Sequence, residues 1–456
     1  MPAGSAMIER LRKEFFDIRR GEWPKALGLS VYFFLVIAIF WVLKPIKRGL
    51  VISYFGENPI RIAGWVLSGA QAEQVGKVLN MFVAFAVVGL FTWLVRRYAR
   101  HYLIAIFCAV FGTLFLFFGS VINHIEALGD AAVWSFYVTG DIWTTVMVAT
   151  FWAFANDLNT GDQAERLYGI VGLGGVVGGF VGATMVSGLV EQVGRSTLVY
   201  ACLAPTLVIA ALAIWIHQRE CEAGPETPCC PEEEAVLDED EENAFLEGGK
   251  LVFQSRYLLG IAAVLGLYEM VSNIVDFQLA VIVEQQITAD AERDAFFGVV
   301  GQATSLVSIG VQLFLTSFVM KRYSVKVALL FLPIAILGGT IGFVALPTLL
   351  FVGFMSVSDN ALNYSINQSA KETLYTPTTQ DEKYKAKSFI DMFVQRAAKV
   401  ASVALNLGLT ALVITDARWL SLAVGLLLVA WIVVIRFLGR QYEDRKEADE
   451  PAFAGA

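Results

Sequence analysis

Apolar runs of about 20 residues follow one another from end to end of this chain, each long enough to cross roughly 30 Å of hydrocarbon as a helix. That recurrence leaves few folds open. A backbone in lipid must satisfy its own hydrogen bonds, so only helices and closed barrels span a membrane. A barrel would show alternating segments of about 10 residues, and none is visible. An all-α membrane protein is expected. Composition agrees, with 56% of residues hydrophobic and 17% charged, against about 25% charged in an ordinary soluble domain. The formal charge of -8 is misleading, because much of the acid falls in one linker. Membrane lipid is the implied surrounding, and nothing suggests a nucleic-acid partner.

Residues 1–24 read as an amphipathic cytoplasmic segment. Ile8, Leu11, Phe15 and Ile18 share one helical face of Met7–Arg20 among basic residues, as in a helix lying on a membrane surface. No small-residue cleavage pattern follows, so no cleavable signal is expected. Six spans are expected in residues 25–220, near Lys25–Tyr54, Val75–Leu94, His101–Val121, Ala131–Asn156, Arg166–Val190 and Thr197–His217. Residues 221–250 break the pattern with Pro225, Pro228, Pro231 and the acids Glu232–Glu234 and Asp238–Glu242, a composition that buries no core. Residues 251–439 hold six more, near Tyr257–Gln285, Ala295–Met320, Val325–Ala345, Leu346–Ala370, Lys387–Ile414 and Arg418–Leu438, and residues 440–456 form a tail. Twelve transmembrane helices in two six-helix halves result. Lys and Arg gather on one side of this topology, which makes both termini and the linker cytoplasmic and the protein a multi-pass one of the cell inner membrane.

Two short internal similarities fall in equivalent loops. Arg96-Arg97-Tyr98-Ala99 answers Lys321-Arg322-Tyr323-Ser324, and Thr160-x-Asp162-x-x-x-Arg166 answers Thr379-x-Asp381-x-x-x-Lys385. Parallel six-helix repeats of this kind build major-facilitator-like transporters, with substrate at the midplane.

Charged residues inside the spans carry the functional argument. Lys44, Lys47 and Arg48 lie within the apolar run from Ala26 to Tyr54, and Leu50–Phe55 continues apolar after them. Snorkelling at a helix end is the ordinary account of such cations, but the apolar continuation places them inside the membrane. Each costs roughly 2.5–3.5 kcal/mol at a bilayer centre on insertion scales, so they point to a cavity and an anionic partner. Pro45 is expected to kink this helix and free backbone groups. Other spans carry polar stripes at helical spacing: Asp359, Asn363, Asn367 and Lys371; Asp391, Gln395, Lys399, Ser402 and Asn406; Glu269, Asn273 and Asp276; and Asp141 beside Trp134, Tyr137 and Trp143. Interhelical bonding accounts for single Asn or Ser positions. The charges together suit a water-filled transport path.

Competing chemistries find little support. The glycines of the fifth span, Gly169 to Gly188, are not followed by a Gly-Lys-Ser/Thr motif; Gly174/Gly178, Gly175/Gly179 and Gly178/Gly182 are small-xxx-small pairs for close helix packing. No H-E-x-x-H or G-x-S-x-G occurs and the three histidines form no ligand pair, so no enzyme, metal site or cofactor is expected. Five cysteines, among them Cys229-Cys230, fit neither a disulfide framework nor a zinc pattern.

Three stretches resemble the ATP/ADP translocase family, the nucleotide transporters of plastids and intracellular bacteria. They are Trp41–Leu50; Phe151-Trp-Ala-Phe-Ala-Asn-Asp157 running on to Ala164-Glu-Arg-Leu-Tyr-Gly169; and Lys371-Glu-Thr-Leu-Tyr-Thr-Pro377 with Glu382-Lys-Tyr-Lys-Ala-Lys387 and Ile390-Asp391. The resemblance implies a twelve-helix major-facilitator-like fold and ATP/ADP counter-exchange. Lys47 falls on the family's first-helix lysine, Lys44 on the basic position before it, Lys371 and Glu372 on its Lys-Glu pair, and Asp391 on the following acid. Arg48 stands where the exchangers have an acid, and Asp276-Phe277-Gln278 where they have Glu-Trp-Lys.

The expected function is therefore antiport of nucleotides or related phosphorylated anions by alternating access. Lys44, Lys47, Arg48, Lys371, Arg396 and Lys399 are the expected phosphate ligands, and Trp41, Tyr137 and Tyr268 are placed to stack a base. Asp141, Glu269, Asp276, Asp359 and Asp391 are the expected coupling or gating acids. Proton-coupled transport of another organic solute and a non-transporting membrane scaffold are the alternatives, distinguished by uptake on a pH gradient alone and by transport that survives deletion of Cys229–Glu242.

Overall fold

The computed structural model describes residues 19, 21–62, 64–159, 161–222, 241–379, 382–412 and 416–453. The amphipathic segment Met7–Arg20, apart from Arg19, and most of the acidic linker, with Cys229 and Cys230, lie outside the described residues, as do Thr160 and Asp381 of the second internal similarity.

Helices dominate. α1 is Trp23–Glu57, α2 Gly69–Arg97, α3 Arg100–Val121, α4 Asp130–Leu158, α5 Gly161–Ala201 and α6 Leu203–Glu222. α7 (Glu241–Gln254) is an amphipathic helix in the last part of the segment read as linker, where Ala244, Leu246 and Glu247 replace the prolines upstream. α8 is Arg256–Gln286, α9 Asp290–Gly310, α10 Val325–Ala345, α11 Leu349–Leu362, α12 Gln395–Leu412 and α13 Leu420–Phe453. A short antiparallel hairpin, β1 (Ile60–Ile62) with β2 (Trp65–Leu67), follows α1 and pairs Ile60 with Leu67; Gly64 turns it with a φ of 86°.

Eight helical stretches among the described residues are long and apolar enough to cross a membrane. The sequence expectation was twelve spans. Arg166–Glu220 counts as one of the eight although Gly194, with φ 77° and ψ 166°, breaks the helix within it. α4, α11 and α12 fall outside this group, their apolar length diluted by the polar side chains they carry.

Several helices carry π-helical turns: Val311–Thr316 after α9, Asn363–Asn367 after α11, and Glu382–Ala386 and Ile390–Val394 ahead of α12. Such turns are rare and concentrate at functional sites.

Local sequence explains the helix ends. Ser68 and Gln71 form a reciprocal capping box at the start of α2: Ser68 N donates to Gln71 Oε1 at 2.9 Å and Gln71 N donates to Ser68 Oγ at 3.5 Å. Thr379 and Glu382 repeat the device at 3.1 and 3.3 Å. The matched loops Tyr98 and Tyr323 end their helices alike, each donating its backbone N–H four residues back, to Leu94 and Val319, at 3.0 and 2.9 Å.

The chain forms two compact units. Unit 1 takes Met1–Glu57, Leu79–Glu234 and Ala289–Ser305; unit 2 takes Asn58–Val78, Ala235–Thr288 and Leu306–Ala456. Within unit 1, α1 packs along α5 through the glycine ladder expected from sequence. A Cβ at Gly174, Gly178 or Gly182 would run into the backbone of Ser30, Phe34 or Ala38, so both helices present matching positions every fourth residue. On another face α1 meets α4, with the Phe33 and Phe151 rings stacked at 4.6 Å and Tyr32 edge-on to Phe151 at 4.9 Å. In unit 2, α8 is the central helix and packs against α11, α12 and α13.

Candidate functional site

α1 continues as helix through Pro45, so Lys44, Lys47 and Arg48 keep helical spacing. Lys47 is only 6% exposed. Its ammonium is ion-paired with Asp141 on α4 and lies 4.6 Å from the centre of the Tyr137 ring, one turn earlier on that helix. Gly140 makes this possible: a Cβ there would sit 2.9 Å from Lys47 Cδ. Lys44 is half-buried, its ammonium 4.6 Å from the Trp41 ring and 5.6 Å from Phe40. Trp41 is seated against Gly179 and Gly301, either of which would clash with it if it carried a side chain. The buried Arg48 guanidinium lies 4.5 Å from the Phe297 ring. Unit 1 therefore brings together Trp41, Lys44, Lys47, Arg48, Tyr137 and Asp141.

Unit 2 gathers a second set. Lys371, 8% exposed, lies 4.1 Å from the Tyr268 ring centre and donates to Asn363 Oδ1 at 3.0 Å. Asn367 donates to the same oxygen at 3.0 Å, so the π turn Asn363–Asn367 gathers the polar stripe under the lysine. Asp359 Oδ2 accepts from Ser272 at 2.6 Å. Glu269 is half-buried next to Tyr268. Asp391 is exposed and accepts from Gln395 at 3.0 Å; Arg396 is half-buried and Lys399 exposed. In the short helix Gln368–Leu374 that follows the π turn, Glu372 pairs with Lys387 at 2.6 Å, and the Tyr257 hydroxyl donates to Leu374 O at 2.6 Å. Tyr375, just past the helix, has its hydroxyl pKa raised, chiefly by burial and further by the Asp391 and Glu372 carboxylates.

Two charged arrangements escaped the sequence reading. Lys77 on α2 is ion-paired with Asp276, which the sequence did single out. In unit 1, Arg195 grips Asp294 with two hydrogen bonds, 2.6 Å from Nε and 3.1 Å from Nη2, and reaches Asp290 at 3.2 Å. Asp294 is fully buried, and Gly49, directly after Arg48, leaves the space its carboxylate fills. Lys77 and Arg195 sit near the ends of apolar runs, where a cation ordinarily reads as a snorkelling residue. A spacing signal existed for Lys77, because Gln71, Gln74 and Lys77 recur every third residue.

The profile of the family described as TLC ATP/ADP transporter matches residues 130–358 and 348–442. ADP,ATP carrier protein 2 of Chlamydia pneumoniae is 23% identical over 96% of this chain and 92% of its own length. The chloroplastic ADP,ATP carrier protein 1 of Arabidopsis thaliana is 22% identical over 96% of this chain and 77% of its own. Among solved structures, the nucleoside transporter NupG superposes with a TM-score of 0.63 at 12% identity, covering 91% of this chain and 99% of that one. The POT family transporter PepTSo gives 0.58 at 11% identity, covering 91% and 98%. The fold is thus the major-facilitator-like one of a multi-pass membrane protein. The family profile covers more than half of the residues and takes in Tyr137, Asp141, Tyr268, Asp359 and Lys371, so the chain belongs to the TLC ATP/ADP transporter family.

Proposed function

We propose that this protein is a nucleotide antiporter of the cell inner membrane, exchanging ADP and ATP by alternating access, and that it is a carrier rather than an enzyme. One observation carries the reading. Each unit holds a buried lysine over a tyrosine ring, Lys47 over Tyr137 and Lys371 over Tyr268. A buried ammonium is expensive unless a partner holds it, and here the partners are a carboxylate and an amide oxygen, both exchangeable for phosphate oxygens. The ring face beneath each lysine becomes a stacking surface for a base once phosphate draws the ammonium away, as aromatic side chains serve wherever unpaired bases are bound.

In this reading Lys47 is the phosphate ligand of unit 1, with Lys44 and Arg48 adding positive potential, and Lys371 is that of unit 2, with Arg396 and Lys399. Trp41 and Tyr137 are the base-stacking rings of unit 1, and Tyr268 is that of unit 2. Asp141 takes Lys47 back when phosphate leaves, and Glu269, Asp276, Asp359 and Asp391 set the charge balance between loaded and empty states. Twelve spans with both termini cytoplasmic complete the topology. The relatives named as ADP,ATP carriers support the choice of nucleotide. The test is uptake of labelled ADP by proteoliposomes loaded with ATP. Uptake should depend on internal nucleotide and be lost in Lys47→Ala. Accumulation driven by a pH gradient with empty vesicles would instead identify a proton-coupled carrier and sink the exchange reading.

A further inference from the structure

Inside unit 2, the first turns of α2 meet α8 and α12 along a polar seam. Gln71 donates from Nε2 to Thr410 Oγ1 at 3.0 Å. Gln74 Oε1 accepts from Asn273 Nδ2 at 3.3 Å and from Asn406 Nδ2 at 3.4 Å, and Asn273 also donates to Ser402 Oγ at 2.7 Å. Lys77 Nζ reaches Asn273 Oδ1 at 3.3 Å and is ion-paired with Asp276. Residues three apart on α2 thus face residues three or four apart on its neighbours, so the whole seam is one register of polar side chains.

Two features set this seam apart from interhelical packing. The first is the ion pair. Apolar residues of similar volume would hold these helices together as well or better, and the pair is not sealed by protein: the Lys77 and Asp276 side chains keep 14% and 30% of their surface. The second is a missing acceptor. Gln74 is fully buried, yet its Nε2 donor has no hydrogen-bond partner among the described residues. Native interiors rarely leave such a donor unmet. Asn406 Oδ1, in the same seam, is a buried acceptor likewise without a partner among the described residues, so the amides are not closed on one another. An oxygen-rich anion arriving at the open side of the Lys77–Asp276 pair brings acceptors for the Gln74 amide N–H and for the ammonium in place of Asp276.

We propose that Lys77 is a phosphate-binding residue of this transporter, held by Asp276 when empty and taken over by a polyphosphate chain, with the Gln74 amide donating beside it. The proposal rests on the nucleotide reading only for the class of substrate, a di- or triphosphate. Lys77 then does more than neutralise Asp276. It adds a charge that rewards additional phosphates.

The test is calorimetric titration of the purified full-length protein with inorganic tripolyphosphate. Wild type should bind it. Lys77→Gln should raise the Kd roughly 10- to 100-fold, the range of one charge-assisted hydrogen bond, and Lys77→Gln/Asp276→Asn should raise it equally. Lys77→Arg, which keeps the charge, should stay near wild type. Should Lys77→Gln fail to fold, the charge-balanced double variant, checked by thermal unfolding, carries the comparison with Lys77→Arg. The assignment is overturned if wild type does not bind tripolyphosphate, if Lys77→Gln binds it as tightly, or if the double variant regains full affinity, which would make Lys77 only a counter-ion. Labelled ADP uptake by wild-type vesicles is measured alongside. No exchange with tripolyphosphate binding that still depends on Lys77 sinks the nucleotide reading alone. Exchange with unchanged affinity in Lys77→Gln sinks the Lys77 assignment alone.

Discussion

A lysine inside apolar helices stays charged only where something holds the charge, and Lys47 is held by Asp141 and by the Tyr137 face. Removing one partner leaves the other charge buried without compensation, a loss of about 3–5 kcal/mol in comparable pairs. Lys47→Ala should therefore lower the thermal unfolding temperature as well as abolish ADP uptake. Lys47→Met/Asp141→Leu should restore the unfolding temperature but not the uptake. Unfolding scans and uptake on the same preparations separate the two roles; recovery of both in the double variant would make the pair purely structural. A different pair, at the start of α1, supplies a pH signature. Burial alone would raise the Glu22 carboxyl pKa, but the hydrogen bond and charge of Arg166, at 2.7 Å, and the Arg19 backbone N–H bring it below its ordinary value. Because the folded pKa is the lower one, this contribution to stability is complete above the unfolded carboxylate value of about 4.3 and fades as pH falls through the folded value. Wild type should lose more unfolding temperature than Glu22→Gln between neutral pH and about pH 3, a window taken from that same ordinary value. At this scale the sequence was legible where charge was out of place. Lys44, Lys47, Arg48 and Asp359 stood out because ions deep in apolar runs are rare, and Lys371 by its four-residue spacing from Asp359, Asn363 and Asn367, whereas Lys77, Arg195 and Asp294 lay near run ends where cations and acids are ordinary.

Whole helices test the packing argument more sharply than single charges. At Gly178 a side chain would meet the backbone of Phe34, which cannot swing aside, while Gly172 and Gly188 in the same helix have open space beside them. Gly178→Ala should cost on the order of 1–3 kcal/mol through overpacking. Gly172→Ala should be neutral or stabilise by up to about 1 kcal/mol, through the entropy of the unfolded chain. Thermal unfolding of the two variants side by side checks the contrast, and equal effects would mean that α1 and α5 do not depend on the ladder. The ladder was readable because small residues four apart have one packing consequence wherever they occur in a helix. The π turns were not readable, since Asn363–Asn367 has the same four-residue polar spacing an α-helix would show. The hairpin after α1 was also missed, being only three residues a side and adjoining an apolar run.

For the molecule as a whole, hydropathy gave the class, internal repetition gave the two-part reading, and three motifs gave the family. What linear order does not reveal is which segments complete which unit. Unit 1 includes Ala289–Ser305 from beyond the acidic linker, and unit 2 includes Asn58–Val78 from before it. A chain cut within residues 223–240 would leave the first fragment with Arg195 but without Asp294, and the second with Glu284 but without Ser68 and the α2 N–H groups that Glu284 accepts from at 2.8 and 2.9 Å. Each fragment expressed alone should be unstable in membranes, and co-expression should recover ADP uptake. Stable accumulation of either fragment by itself would count against the exchange of segments. The gene, in other words, has a natural point of division that the folded protein does not share: its two halves are separable as text, while each compact unit is completed by a segment encoded on the far side of the linker.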